Sequence, residues 1–307
     1  MSWLPFAGGL LSGIILEKLQ KYFLRGKRLR TLEKKELHWI RSSQINRENE
    51  IITMPDGKKL QAYIYSSDLT PEIAPSVLFL HGFGGFAQDF NFEGLLSSIC
   101  LAGYRVFAYD FRSSGNSRKK GEPSIFGAAN GDFIQLIFKD VVTAIDWMYQ
   151  HEGIDKANLS VIGGSLGGGM VLSSALHDER IKKLIGFCAP YDFSDVFRDG
   201  FIEGSIINRL YFKILFKKLT DVEDFLLKVH DISPIVKIDE NFNYENRVFL
   251  AHSRNDDVIA FEKHFLKNVE KMKIPTRNTI IFDKGGHEFT GNSAPLIARI
   301  LYWLGIS

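Results

Sequence analysis

The run Leu159-Ser160-Val161-Ile162 passes without a break into Gly163-Gly164-Ser165-Leu166-Gly167-Gly168, and a helical stretch follows. A buried strand entering a helix through so glycine-rich a turn constrains the fold more than any other stretch. The backbone must reverse sharply and the two elements must approach closely. Only residues without a side chain fit at the flanking positions. Such a turn lifts the Ser165 hydroxyl above a sheet and sets it over the free N–H groups and positive dipole end of a helix. The pattern matches G-x-S-x-G in the context of strand, turn and helix, a serine nucleophile. A phosphate cradle is the competing use of such a turn. It needs a terminal Lys-Ser/Thr, or G-x-G-x-x-G after a first strand, and neither is present.

The surrounding pattern is that of an α/β chain. Residues 77–80, 106–109, 159–162, 184–187, 248–251 and 279–282 are continuous apolar runs. Such runs are expected of parallel strands covered on both faces. Helical periodicity occupies Phe92–Ala102, Phe133–Tyr149, Met170–Leu176 and Phe261–Met272 between them. The alternation predicts a doubly wound, mostly parallel sheet. The core pattern begins near Glu50. Ile51–Met54, the turn Pro55-Asp56-Gly57 and Leu60–Tyr65 read as an antiparallel hairpin that opens the sheet. From about 191 to 245 the rhythm breaks. That stretch is helical and carries Phe193, Phe197, Phe201, Phe212, Phe216 and Phe225, so it reads as a helical cap inserted between two core strands.

A serine hydroxyl is a weak nucleophile and needs a base that is itself oriented by an acid. Among the eight histidines, His287 follows the last core strand, in the loop Asp283-Lys284-Gly285-Gly286-His287. Loops at the carboxyl ends of strands are where α/β sheets place their chemistry. His38, His151, His177, His230 and His264 lie in helical or charged surroundings and read as solvated or capping residues. The acid belongs after the preceding strand, where Asp256 and Asp257 both qualify by position. Asp192, after the 184–187 strand, is a third candidate.

These blocks together resemble the α/β-hydrolase superfamily across residues 50–307, and most closely its serine aminopeptidase-like, monoacylglycerol lipase and feruloyl esterase branch. The resemblance rests on Pro55-Asp56-Gly57, His81-Gly82-Phe83-Gly84-Gly85, Asp110 to Ser117, Gly163 to Gly167, His252 to Ala260 and the loop ending at His287. It implies Ser165 as nucleophile, Asp256 as acid, His287 as base, and the N–H groups of Phe83 and Leu166 as oxyanion donors. It also makes His81 a structural residue of its loop. Ser113 or Ser114 and Ser253 stand where the family favours glycine, Ala260 where it favours proline, and Gly164 where it favours histidine. The implied reaction is hydrolysis of small-molecule esters or lipids with an apolar acyl group, through an acyl-enzyme. An aminopeptidase or thioesterase would use the same triad. A non-catalytic scaffold at a membrane is the alternative of another class.

A net charge of +2 over 307 residues gives no reason to expect nucleic-acid binding. Cys100 and Cys188 sit in apolar runs and read as buried reduced thiols, which suits a cytoplasmic placement. No spacing indicates a metal site or a cofactor. Residues 1–49 form an N-terminal extension. Trp3–Leu16 is uncharged but shorter than the about 20 residues a spanning helix needs, and basic residues from Lys18 to Lys35 follow. The apolar spacing from Leu11 to Phe23 describes an amphipathic helix with a basic face. Residues 3–30 would then lie on an anionic membrane, or dock on the core or a second subunit; periodicity is the same in each case.

Overall fold

The computed structural model describes residues 45–88, 90–203 and 206–305, without the side chains of residues 90–93, 207, 208 and 211. The amphipathic segment at residues 3–30 lies outside these. Among the described residues no helix is long and apolar enough to cross a membrane.

Eight strands form one sheet in the order β1-β2-β4-β3-β5-β6-β7-β8. They are β1 (Ile45–Thr53), β2 (Lys59–Ser67), β3 (Ala74–Leu80), β4 (Arg105–Tyr109), β5 (Ile154–Gly164), β6 (Ile181–Phe187), β7 (Val248–Ser253) and β8 (Thr279–Phe282). The β1–β2 and β2–β4 pairs are antiparallel, and all the others are parallel. The doubly wound sheet expected from the apolar runs is therefore present. Its first strand starts earlier than expected, at Ile45, which pairs with Ser67. Residues 46–49 are polar and lie largely open, so no apolar alternation announces them. Ladder hydrogen bonds at a sheet edge hold them instead.

Among the described residues ten α-helices accompany the strands: α1 (Phe90–Leu101), α2 (Ile125–Ala128), α3 (Gly131–Gln150), α4 (Leu166–Ser174), α5 (Phe193–Arg198), α6 (Ile206–Leu215), α7 (Val222–His230), α8 (Pro234–Lys237), α9 (Leu266–Lys271) and α10 (Ser293–Leu304). Successive strand residues feed opposite faces of the sheet. Leu78, Leu80, Phe107 and Val161 pack with Ile137, Val141 and Ile145 of α3 and Met170 of α4. Val77, Phe79, Val106 and Ile162 pack with Leu95 and Ile99 of α1 and with Leu296, Ile300 and Leu304 of α10. The sequence reading contains no helix after His287, yet α10 closes that second face.

Between β6 and β7 the chain is helical, from α5 to α8, with a π-helical turn at Asp199–Glu203. Its phenylalanines pack on one another. The rings of Phe197 and Phe225 are 4.8 Å apart and those of Phe201 and Phe216 are 5.2 Å apart, both edge to face. Aromatic pairs prefer this geometry, and the cluster is continuous with the core on that face of the sheet.

Candidate active site

Ser165 sits between β5 and α4 with φ 56 and ψ −122, backbone that a residue with a side chain adopts only under strain. The neighbouring glycines make the turn possible. A Cβ at Gly163 would meet the Gly167 carbonyl at 2.5 Å, and one at Gly167 would meet the Leu80 carbonyl oxygen at 2.1 Å. In both cases the obstructing atoms are backbone, so neither can give way. The Ser165 N–H donates to the Phe187 carbonyl (2.9 Å) and the Ser165 carbonyl accepts from Gly169 N–H (3.0 Å), which pins the turn at both ends. Gly164 acquires a physical account here. A Cβ at that position would lie 2.3 Å from the buried Phe187 ring, so the histidine common in the family does not fit.

The loop after β3 rides over the nucleophile. A Cβ on Gly82 would stand 3.3 Å from Ser165 Cβ. His81 is fully buried, and its Nε2 accepts the Phe111 N–H at 2.9 Å. Its Nδ1 therefore carries the proton and donates to the Gly82 carbonyl at 2.8 Å. Burial pulls the His81 imidazole down to about 4, which keeps it in this neutral form. The carbonyl and N–H of a trans peptide point in opposite directions. Anchoring the Gly82 carbonyl thus also fixes the direction of the Phe83 N–H. Among the described residues, neither the Phe83 N–H nor the Leu166 N–H donates to an internal acceptor. The Phe83 ring stacks on Phe216 of the cap (5.8 Å, 21°) and meets Phe126 edge-on (4.9 Å), so cap packing also holds this loop.

Asp256 and His287 are brought together directly, with Nδ1 2.9 Å from Oδ2. The other carboxylate oxygen accepts the N–H groups of Val258 and Ile259, each at 2.9 Å. Burial alone raises the Asp256 carboxyl. The His287 hydrogen bond and charge and the two backbone donors outweigh it, bringing the group down to about 2. His287 reaches this position through Gly285 (φ 129) and Gly286 (φ 61), and the Gly286 N–H is tied to Asn255 Oδ1 at 3.0 Å. Ser165 is joined to the pair through β6. Its N–H bonds to Phe187, and the next residue, Cys188, has Sγ 3.5 Å from the His287 carbonyl oxygen.

The remaining candidates separate cleanly. Asp257 is exposed and makes none of these contacts. Asp192 instead pairs with His230 (2.8 Å) and caps α5 through Ser194 N–H (2.8 Å). His264 is a correction to the expectation of a solvated or capping residue. It is 1% exposed, and its Nδ1 accepts the Tyr191 N–H at 3.2 Å. The surrounding charged residues mislead because they line the opposite side of a one-turn π-helical segment, Phe261–Phe265. Sequence reasoning also missed three neighbours of the pair: Cys188, Asn255, and buried His252, whose Nε2 is 3.4 Å from Asp256 Oδ2. Only the placement of each at the end of a strand could have flagged them.

The Asp110 block is structural. Asp110 accepts from Ala87 N–H (2.7 Å), Asn116 N–H (2.7 Å) and the Tyr63 hydroxyl (3.1 Å). Arg112 forks onto Asp140 (2.5 and 2.6 Å) and reaches Asp56 in the hairpin turn (2.9 Å). Ser113 takes φ 62, the left-handed backbone for which the family favours glycine.

Comparison with known proteins bears on the fold. The sequence model of a family described as the alpha/beta hydrolase fold matches residues 75–201. The chain has the α/β-hydrolase fold. It is 27% identical over 162 residues to "Putative hydrolase YtaP" of Bacillus subtilis (strain 168), covering 47% of this chain and 53% of that one. It is 28% identical over 151 residues to "Quorum-quenching protein AidA" of Acinetobacter baumannii (strain MDR-ZJ06), covering 49% and 44%. The chain thus spans about half the length of these curated relatives. Among solved structures, the chain superposes on an acetyl xylan esterase from Paenibacillus sp. R4 with a TM-score of 0.66 at 17% identity, covering 86% of this chain and 85% of that one. The 2,6-dihydroxy-pseudo-oxynicotine hydrolase gives 0.63 at 18% identity, covering 86% and 68%. At such identities the structures speak for the fold.

Proposed function

We propose that this α/β-hydrolase is a serine esterase that cleaves carboxylic esters with an apolar acyl group through an acyl-enzyme. The observation that carries the reading is the Asp256–His287 pair, at 2.9 Å, set at the same end of the sheet as a strained, glycine-flanked Ser165. Ser165 Oγ attacks the ester carbonyl carbon and its proton passes to His287 Nε2. Asp256 holds Nδ1–H and stabilises the imidazolium that results. The Phe83 and Leu166 N–H groups receive the oxygen that becomes negative. One such donor lowers the barrier by about 3–4 kcal/mol. The intermediate collapses, the alcohol leaves with the proton from His287, and water attacks the acyl-enzyme with the same base assisting.

The apolar preference is supported by the rings of Phe83, Phe126, Phe197 and Phe216, which contact one another beside the oxyanion loop. A panel of p-nitrophenyl esters of increasing acyl length tests it. The reading expects kcat/KM to rise from acetate to longer chains and to vanish in Ser165→Ala. Preference for acetate contradicts the apolar acyl site, and full activity in Ser165→Ala contradicts the nucleophile. Peripheral membrane contact through residues 3–30 belongs to the same proposal. Deleting residues 1–30 is expected to shift the protein from the membrane to the soluble fraction, and an unchanged distribution removes that part.

A further inference from the structure

No step of ester hydrolysis uses the thiol of Cys188, yet it stands against the acid–base pair. Cys188 is 2% exposed and has φ 46, a left-handed conformation uncommon for a residue with a side chain. Its N–H is held by the Ala251 carbonyl of β7 at 2.9 Å, so the sheet itself fixes this turn. Cys188 Sγ, a carboxylate oxygen of Asp256 and a ring nitrogen of His287 all lie within 4.8 Å of one another.

A tetrahedral zinc-like centre binds sulfur at about 2.3 Å and nitrogen or oxygen at about 2.0 Å, which sets its donor atoms about 3.3–3.6 Å apart. An ion between Asp256 Oδ2 and His287 Nδ1 opens that pair by about 0.4 Å and draws the thiol in by at most about 1.2 Å. Thiolate, imidazole and carboxylate together favour borderline-soft cations over magnesium or calcium. We propose that Cys188, Asp256 and His287 form an inhibitory binding site for a thiophilic divalent cation of the zinc or cadmium type. One metal–sulfur, one metal–nitrogen and one metal–oxygen bond form, and no electron is transferred. The thiol proton passes to water. The imidazole stays neutral and moves its proton from Nδ1 to Nε2 through solvent. A ring that carries hydrogen on Nε2 cannot accept the Ser165 proton, so the bound ion stops turnover. The inhibitory consequence rests on the proposed role of His287, whereas the binding itself does not.

The test is a titration of the full chain with cadmium chloride, following the ultraviolet thiolate-to-cadmium charge-transfer band alongside ester hydrolysis. The band is expected to saturate at one equivalent as hydrolysis is lost. Cys188→Ser is expected to abolish the band, keep metal-free hydrolysis, and need about tenfold or more cadmium for half-inhibition. Cys100→Ser is expected to behave as wild type. If Cys188→Ser fails to fold, Cys188→Ala replaces it. A wild-type chain without the band, or equal cadmium sensitivity in wild type and the Cys188 variant, overturns the proposal. The band is read without turnover, so a chain that binds cadmium but hydrolyses no ester breaks the esterase reading and leaves the site standing.

Discussion

Two aspartate–histidine pairs follow the neighbouring strands β6 and β7, and they are built alike. In each, one carboxylate oxygen accepts backbone N–H, from Val258 and Ile259 at Asp256 and from Ser194 at Asp192, and the other meets a histidine Nδ1, at 2.9 Å in Asp256–His287 and 2.8 Å in Asp192–His230. Each also has a buried histidine behind it, His252 against Asp256 and His264 against Tyr191. The surroundings differ. At the same end of the sheet as Asp256–His287 stand a strained serine and two N–H groups that, among the described residues, donate to no internal acceptor. The hydroxyl beside Asp192 belongs to Ser233, which is fully buried and donates to the Val229 carbonyl at 2.7 Å. That hydroxyl also accepts the Phe193 N–H at 2.9 Å, so it is consumed by the cap. Asp192–His230 therefore fastens the start of α5 to the end of α7. A carboxylate–imidazole pair becomes a candidate for chemistry only through the donors and nucleophile around it.

The largest expected effect breaks the two pairs apart kinetically. Asp256→Asn should lower kcat by about 10⁴-fold, because the imidazole loses its tautomer and its counter-charge. Asp192→Asn should leave kcat within about twofold. Steady-state ester hydrolysis by the two variants reads the contrast, and equal losses would remove it.

The next effect sharpens the comparison through pH. Burial brings His264 down to about 4, below the about 6.5 of an unfolded histidine. Between those values the unfolded chain binds the extra proton, so folding stability falls as pH drops from about 6.5 to 4, by roughly 3 kcal/mol for this residue. His264→Gln should flatten that part of the urea-midpoint profile. Asp256 works lower on the scale. Its carboxyl is held at about 2, so the stability it contributes is present above about pH 4 and is lost only as pH falls toward 2. A profile unchanged by His264→Gln would contradict the burial argument.

Smaller effects belong to the cap. Asp192→Ala should cost about 1–2 kcal/mol in urea denaturation through the lost cap and the partly buried bond to His230. His230→Ala should cost about 1 kcal/mol or less, because its ring is 40% exposed. The reverse order would mean that the pair is held from the histidine side.

Much of this frame is legible in the sequence, because buried parallel strands read as continuous apolar runs and close backbone approach demands glycine. Residues 279–282 and the elbow at Ser165 need no tertiary information. The acid does. Asp256, Asp257 and Asp192 all follow strands, and the residues alone leave them open; the family resemblance points to Asp256, and the contacts with His287 separate them. The start of β1 is hidden because its edge residues are polar. His264 is hidden because the charged residues beside it line the exposed side of its π-helical turn. The cluster at Cys188 is hidden because its three donors come from three separate strand ends, with no ligand spacing along the chain.

The most direct test of the account is intact-mass and peptide-level detection of a fluorophosphonate adduct. The account predicts one adduct per chain on Ser165 in the wild type and in Asp192→Asn, and none in Ser165→Ala or His287→Ala. An adduct on another residue, or undiminished labelling of Ser165→Ala, would contradict it.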